Sequence, residues 1–233
     1  MGRWLLLLIF TTSFGQTVPE IHWQFGPLTA NIGTGARLRL PQGMIWADGG
    51  AARRFLGFTG NPPGGGEAGV AGPPGLDWFA VFCWRTYSSL GFEARNPKPE
   101  EIAAAIRAGS TSANRERTRH GRETLEVLDW AMKPSFDRRT GRLEFGLKTQ
   151  ESGGRRVENR FVYFLGKHGV LEIELVTQAG TATAGFEQLL GGIGWQAGEQ
   201  YEEPADWLRV LVTGLAAAAA AALGFKIWRQ RGE

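Results

Sequence analysis

The chain has 233 residues, 42% of them hydrophobic and 21% charged, with 34 Gly, 11 Pro and a single Cys. That apolar share belongs to a chain that folds, the glycines lack the period of collagen, and the length suits one domain with appendages rather than a multi-span transporter. The net charge of +3 is carried by the ends: setting aside Arg3, Lys226, Arg229, Arg231 and Glu233 leaves a neutral chain, without the basic surface excess of a nucleic-acid binder.

In chain order, Met1-Gly2-Arg3, the apolar run from Trp4 to Phe14 and the small residues Ser13 and Gly15 predict a secretory signal peptide over 1–15, cut before Gln16. The run is shorter than the roughly 20 residues of a membrane span, and an uncleaved anchor or a buried strand are its alternatives. No Cys follows it to make a lipoprotein, and Cys83 alone permits neither an internal disulfide nor a Cys-rich metal site.

An exported domain is expected over 16–206. Arg37 to Leu40 alternates as a strand closed by Pro41-Gln42-Gly43, and Ala51 to Leu56 reads as a short helix. The Gly/Pro-rich stretch 60–75 reads as a mobile loop. Trp78 to Tyr87 is a strand apolar on both faces, which implies layers on both sides of its sheet. Pro99 to Arg119 has Pro and two Glu at its start and Gly121 at its stop, the signals of a helix, with Ile102, Ile106 and Ala113 as its apolar stripe. Strands are predicted at Leu125–Ala131, Arg142–Thr149, Val157–Leu165 and Val170–Thr177. The turns at 138–141, 152–154 and 166–169 are short enough to make them antiparallel neighbours. In the last strand Leu171, Ile173 and Leu175 share one face, Glu172 and Glu174 the other. Ala182 to Ile193 is a second helix. The fold class is α+β: an antiparallel β-meander with helices packed on it as a sandwich.

Residues 207–228 then predict one transmembrane helix. Its apolar part, Leu208 to Ile227, spans about 30 Å at 1.5 Å per residue, with Trp207 and Trp228 at the interfaces and Arg209 able to snorkel. The tract from Ala216 to Ala222 leaves a soluble Ala-rich helix as the alternative, although no polar face exists between Val210 and Phe225. The basic tail 229–233, with Lys226, favours a cytoplasmic C-terminus, and the signal peptide requires the same orientation. The expected location is the bacterial inner membrane, with the domain in the periplasm.

A family resemblance rests on residues in one order. Leu76-Asp77-Trp78-Phe79 comes first, then Asn114, Arg117 and Gly121, Leu125-Glu126-Val127-Leu128-Asp129-Trp130 and Pro134-Ser135-Phe136-Asp137. Thr140-Gly141-Arg142-Leu143, Asn159 and Leu165-Gly166-Lys167-His168-Gly169-Val170-Leu171 follow. Over roughly 28–204 the chain resembles the bacterial family of predicted membrane-anchored proteins called domain of unknown function 2167. The resemblance implies an exported domain with a hydrophobic C-terminal segment and carries no reaction or catalytic residues. The 60–75 stretch departs from the pattern. The order of elements is also similar to the Mog1/PsbP-like sandwich.

Signatures of catalysis are absent: no Gly-x-Ser-x-Gly, Ser-x-x-Lys, His-Glu-x-x-His or phosphate loop occurs, and His22, His120 and His168 are scattered. A Cys83–His168 nucleophilic pair conflicts with an apolar strand, which suppresses the thiolate. Asp77, Asp129 and Asp137 are read as turn acids, with a carboxylate pair for acid–base work as the alternative. The basic run Arg115, Arg117, Arg119, His120 and Arg122 reads as a solvated helix end or as a patch for anionic headgroups or an acidic partner. Asn114, Trp78 and Trp130 belong to that possible interaction patch, and Asn114 is expected to turn towards Asn159 as a buried polar link. No catalytic residue, cofactor or metal is assigned. The leading expectation is a non-catalytic, membrane-anchored periplasmic binding module whose partner is an envelope protein or lipid. A carboxylate-dependent envelope hydrolase and a small-ligand-binding domain are the alternatives.

Overall fold

The computed structural model describes residues 19–58, 65–86, 123–137, 139–154, 156–178 and 184–200, with the helical residues 106–107, 109–111, 114–115 and 117–119. The expected signal peptide (1–15), membrane helix (207–228) and tail (229–233) lie outside the described residues, as does the start of the helix predicted from Pro99. Among the described residues, no helix is long and apolar enough to cross a membrane.

Among the described residues, eleven strands and two labelled helices are ordered β1 (Gln24–Phe25), β2 (Leu28–Gly33), β3 (Ala36–Leu40), β4 (Ile45–Asp48), α1 (Gly49–Phe58), β5 (Glu67–Gly72), β6 (Trp78–Thr86), β7 (Leu125–Asp137), β8 (Arg142–Glu151), β9 (Arg156–Leu165), β10 (Gly169–Gln178), α2 (Ala184–Gly191) and β11 (Ile193–Trp195). The strands form an eight-stranded antiparallel sheet, β1-β4-β5-β6-β10-β9-β8-β7, and a three-stranded sheet, β11-β3-β2. The three short turns give the hairpins β7–β8, β8–β9 and β9–β10, and β6 closes on β10, so that the first half of the chain joins the meander at its last strand, in the centre of the sheet.

Alternation along the strands sorts two layers. Phe82, Leu171, Ile173, Leu175 and Val162 face the small sheet and α2, meeting Leu38, Leu40, Phe186 and Leu189 in one core. On the opposite face Val70, Phe79, Val81 and Val176 pack under Ala51, Ala52, Phe55 and Leu56 of α1. α1 starts where the Asp48 carboxylate accepts a hydrogen bond from the Ala51 amide at 2.9 Å, an N-cap. The helical residues between 106 and 119 are fastened to the start of β7. Asn114 Nδ2 donates to the Leu125 carbonyl at 2.7 Å and its Oδ1 accepts from the Leu125 amide at 2.8 Å. Arg160 joins the elements on the α2 side, donating to Glu144 on β8 and Glu187 on α2 with its guanidinium 5.2 Å from the Phe186 ring centre.

Two expectations need correction. Residues 67–72 of the supposed loop are β5, paired on both edges by β4 and β6. Their small side chains make room for a neighbour: a Cβ on Gly69 would lie 2.1 Å from the Trp46 ring. β7 runs to Asp137 instead of stopping at Ala131, passing through Pro134. It pairs with β8 alone among the described strands, and the pairing is irregular between Met132 and Ser135. A residue without an amide hydrogen is tolerated at such an edge. β1, β2, β4 and β11, four strands of six residues or fewer, had no counterpart in the sequence reading.

Candidate functional site: a polar row in the sheet and a basic helix face

Four side chains stand directly opposite one another across the central strands: Glu67 on β5, Cys83 on β6, Glu172 on β10 and Tyr163 on β9. The next position along β10 on the same face is Glu174, between Val81 and Phe161. This row lies on the α1 side of the sheet, where apolar packing is the rule, and the sequence reading did not select it. The signal was present: because β6 is apolar on both faces, any residue beside it on β10 is under cover whichever way it points.

One oxygen of each glutamate in the row is committed to a fixed partner. Arg85 Nε donates to Glu172 Oε2 at 3.1 Å, and Arg85 Nη1 donates to the Gly65 carbonyl. The Gly65 amide donates to Glu67 Oε1 at 2.8 Å, and Arg53 of α1 lies 4.0 Å from Glu67 Oε2. Arg85 and Glu67 thereby grip the same residue and pin the entry to β5. Asn159 Nδ2 donates to Glu174 Oε1 at 3.0 Å. Among the described residues, Glu172 Oε1 and Tyr163 Oη lack a partner in ordinary hydrogen-bond geometry, on residues only 7% and 2% exposed, although phenol and carboxyl are near enough to shift each other's ionisation.

The surroundings favour uncharged forms. Burial, reinforced by the neighbouring Glu172 charge, holds the Cys83 thiol far above the ordinary thiol range. Burial, then the two glutamates, raises the Tyr163 phenol well above 10. Glu172 is also raised by burial, against the pull of Arg85 and the smaller effect of the nearby phenol. Glu174 retains some exposed surface, yet burial and the Glu172 charge push it up to about 8, with the Asn159 hydrogen bond opposing. Burial acts against the Arg85 charge, but Glu172, Cys83 and Glu67 together outweigh it and the guanidinium stays ionised.

The residues selected from sequence separate into different environments. Arg115 and Arg119 are exposed, as are Arg107 and Thr111, and these positions recur every four residues along one side of the helical segment. Arg107 and Arg115 have no ion-pair partner among the described residues. Arg117 is turned inward at 6% exposure and donates to the Glu123 carbonyl at 3.0 Å, so it anchors the helix instead of joining a surface patch. His120 and Arg122 lie outside the described residues. Trp78 is a correction: its position on β6 sends the ring to the other face, edge-on to Phe186 at 6.1 Å. Trp130 is half-buried and edge-on to Phe145 at 5.8 Å. Asn114 and Asn159 form no link, because Asn114 is used by Leu125 and Asn159 by Glu174.

The three candidate acids are exposed and apart. Asp129 accepts from its neighbour's amide. Asp137 accepts from Thr140 Oγ1 and the Arg139 amide, and these bonds lower its pKa from the ordinary 3.8. Asp77 lies just before β6, and three strands separate β6 from β7. His168 faces Glu199 at 3.4 Å and not Cys83. Among the described residues, no group of three or more His, Cys, Asp or Glu is arranged to hold a metal ion.

Comparison with known proteins agrees with the order of residues. The family model described as protein of unknown function (DUF2167) matches residues 24–228, and the chain belongs to that family. No curated protein matches the chain. The solution structure of cyanobacterial PsbP (CyanoP) from Synechocystis sp. PCC 6803 is similar at a TM-score of 0.41 and 12% identity, over 79% of this chain and 98% of that one.

Proposed function

We propose that this DUF2167 protein is a single-pass, membrane-anchored periplasmic module that binds an anionic envelope component and catalyses no reaction of its own. The observation that carries the reading is the division of its chemistry. Groups suited to catalysis are locked in the sheet, with Cys83 held as the thiol and Glu172 and Glu67 committed to Arg85 and Gly65. The solvent-facing feature is instead cationic, formed by Arg107, Arg115 and Arg119 on one helix face. Such a face attracts phosphate or carboxylate groups without needing a shaped pocket. The anchor is supported by the apolar segment Leu208 to Ile227, which lies within the family match.

The test combines topology with capture. A reporter fused after Glu233 is expected to be active only in the cytoplasm, the mature N-terminus to begin at Gln16, and protease added to spheroplasts to digest the domain. In-membrane crosslinking is expected to recover a reproducible anionic partner, lost in the charge-reversed variant Arg107→Glu/Arg115→Glu. A cytoplasmic, alkali-extractable domain overturns the anchor. Recovery that ignores the charge reversal overturns the binding face.

A further inference from the structure

We propose that Glu172 and Glu174 form a single-proton site inside the sheet: with one proton the two acids stay packed together, and with both ionised this face loosens around Cys83. The two alternate on β10 and therefore project to the same side, about 7 Å apart along the strand. β6 supplies Cys83, Val81 and Arg85 beside them; β9 supplies Tyr163, Phe161 and Asn159; β5 supplies Glu67, whose second oxygen faces Arg53 of α1. Among the described residues, the cation bonded to this pair is Arg85, which serves Glu172 and the Gly65 carbonyl. Glu174 receives a neutral amide from Asn159. One guanidinium balances one carboxylate, so among the described residues a second negative charge finds no counter-charge, while one proton restores balance.

Glu174 is the carboxyl that holds the proton, as its pKa of about 8 indicates, and its exposed surface allows exchange with solvent. The sign follows from linkage. The folded chain keeps a proton that the unfolded chain releases near 4.5, so the stabilisation is complete below that value. It is lost progressively as pH rises through about 8. Because Cys83 is half-buried on the same face, its thiol reports the loosening.

The experiment uses the full chain in detergent micelles, as wild type and as Glu174→Gln, an uncharged isostere of the protonated acid. Between the ordinary 4.5 and about 8, the unfolding equilibrium constant of the wild type is expected to rise by up to about tenfold per pH unit. The variant is expected to rise less steeply over the same interval, keeping only the slope that Glu172, also raised by burial, still contributes. Infrared spectra at neutral pH are expected to show a protonated carboxyl band in the wild type that Glu174→Gln lacks. Labelling of Cys83 should accelerate more steeply with pH in the wild type than in the variant, in which the thiol's own ionisation is the only change. Equal slopes in the two proteins, or no protonated carboxyl band at neutral pH, overturn the proposal. If Glu174→Gln fails to fold, the infrared titration of the wild type decides it alone.

Discussion

At the scale of single residues, Asn114 shows how a side chain can act as a length of strand. Its amide presents one donor and one acceptor to Leu125, the same pair of groups that a neighbouring backbone would offer. Leu125 is buried, so truncation would leave an amide and a carbonyl without partners under cover. Asn114→Ala is expected to cost about 1–3 kcal/mol by chemical denaturation. Asn114→Asp, which keeps the acceptor but not the donor, should fall between the two. A cost within error would mean that the helical segment is held by its apolar contacts alone. The residue types of this corner were legible in the sequence, but their partners were not. Asn114 and Asn159 read as a pair because both are polar groups in an apolar stretch. Which backbone or carboxyl each would meet depends on register, and periodicity does not supply that. Trp78 failed as a patch residue for the same reason: one step along β6 exchanges the helix-bearing face for the core under α2.

At the scale of elements, β5 is the segment that composition misrepresents. Gly and Pro ordinarily mark turns, and the flanks of this stretch obey that rule, with Gly65 and Gly66 at positive φ. Within Glu67–Gly72 the glycine serves packing: Trp46 on β4 lies across Gly69, and the Ala47 carbonyl lies 2.7 Å from where a Cβ would be. Gly69→Ala therefore forces a large ring and a backbone carbonyl to shift together, and a loss of about 1–3 kcal/mol is expected in thermal or chemical denaturation. Gly194→Ala on β11, where an added Cβ meets nothing within 4 Å, is the matched control and should be near neutral. Equal effects at the two positions would show that chain entropy, not the Trp46 contact, governs the glycines. The four meander strands were readable because hydrophobic alternation and short turns agreed along them. β1, β4 and β11 were not, because in strands of four residues or fewer an alternating pattern has too few positions to be distinguished from chance.

At the scale of the whole molecule, the closure of β6 on β10 decides what is central. Strands adjacent in the chain make the hairpins, but this pairing joins residues 78–86 to 169–177 and brings the polar row into the middle of the sheet. β6, β10 and β9 each have paired neighbours on both edges and carry layers on both faces, whereas β1 and β7 end the sheet. Opening a central strand exposes the core around Phe82, Leu171 and Ile173. Opening an edge strand breaks one ladder and exposes little. Hydrogen exchange of the full chain at neutral pH is therefore expected to be slowest for the paired amides of β6, β10 and β9. It should be faster along β7, fastest where its pairing with β8 is irregular between Met132 and Ser135. The polar row makes the outcome informative. If the buried glutamates were a weak point even with their proton in place, β10 near Glu172 and Glu174 would exchange as fast as β7. Slow exchange there would instead mean that one proton and one guanidinium are enough for acids to occupy the centre of a sheet without loosening it.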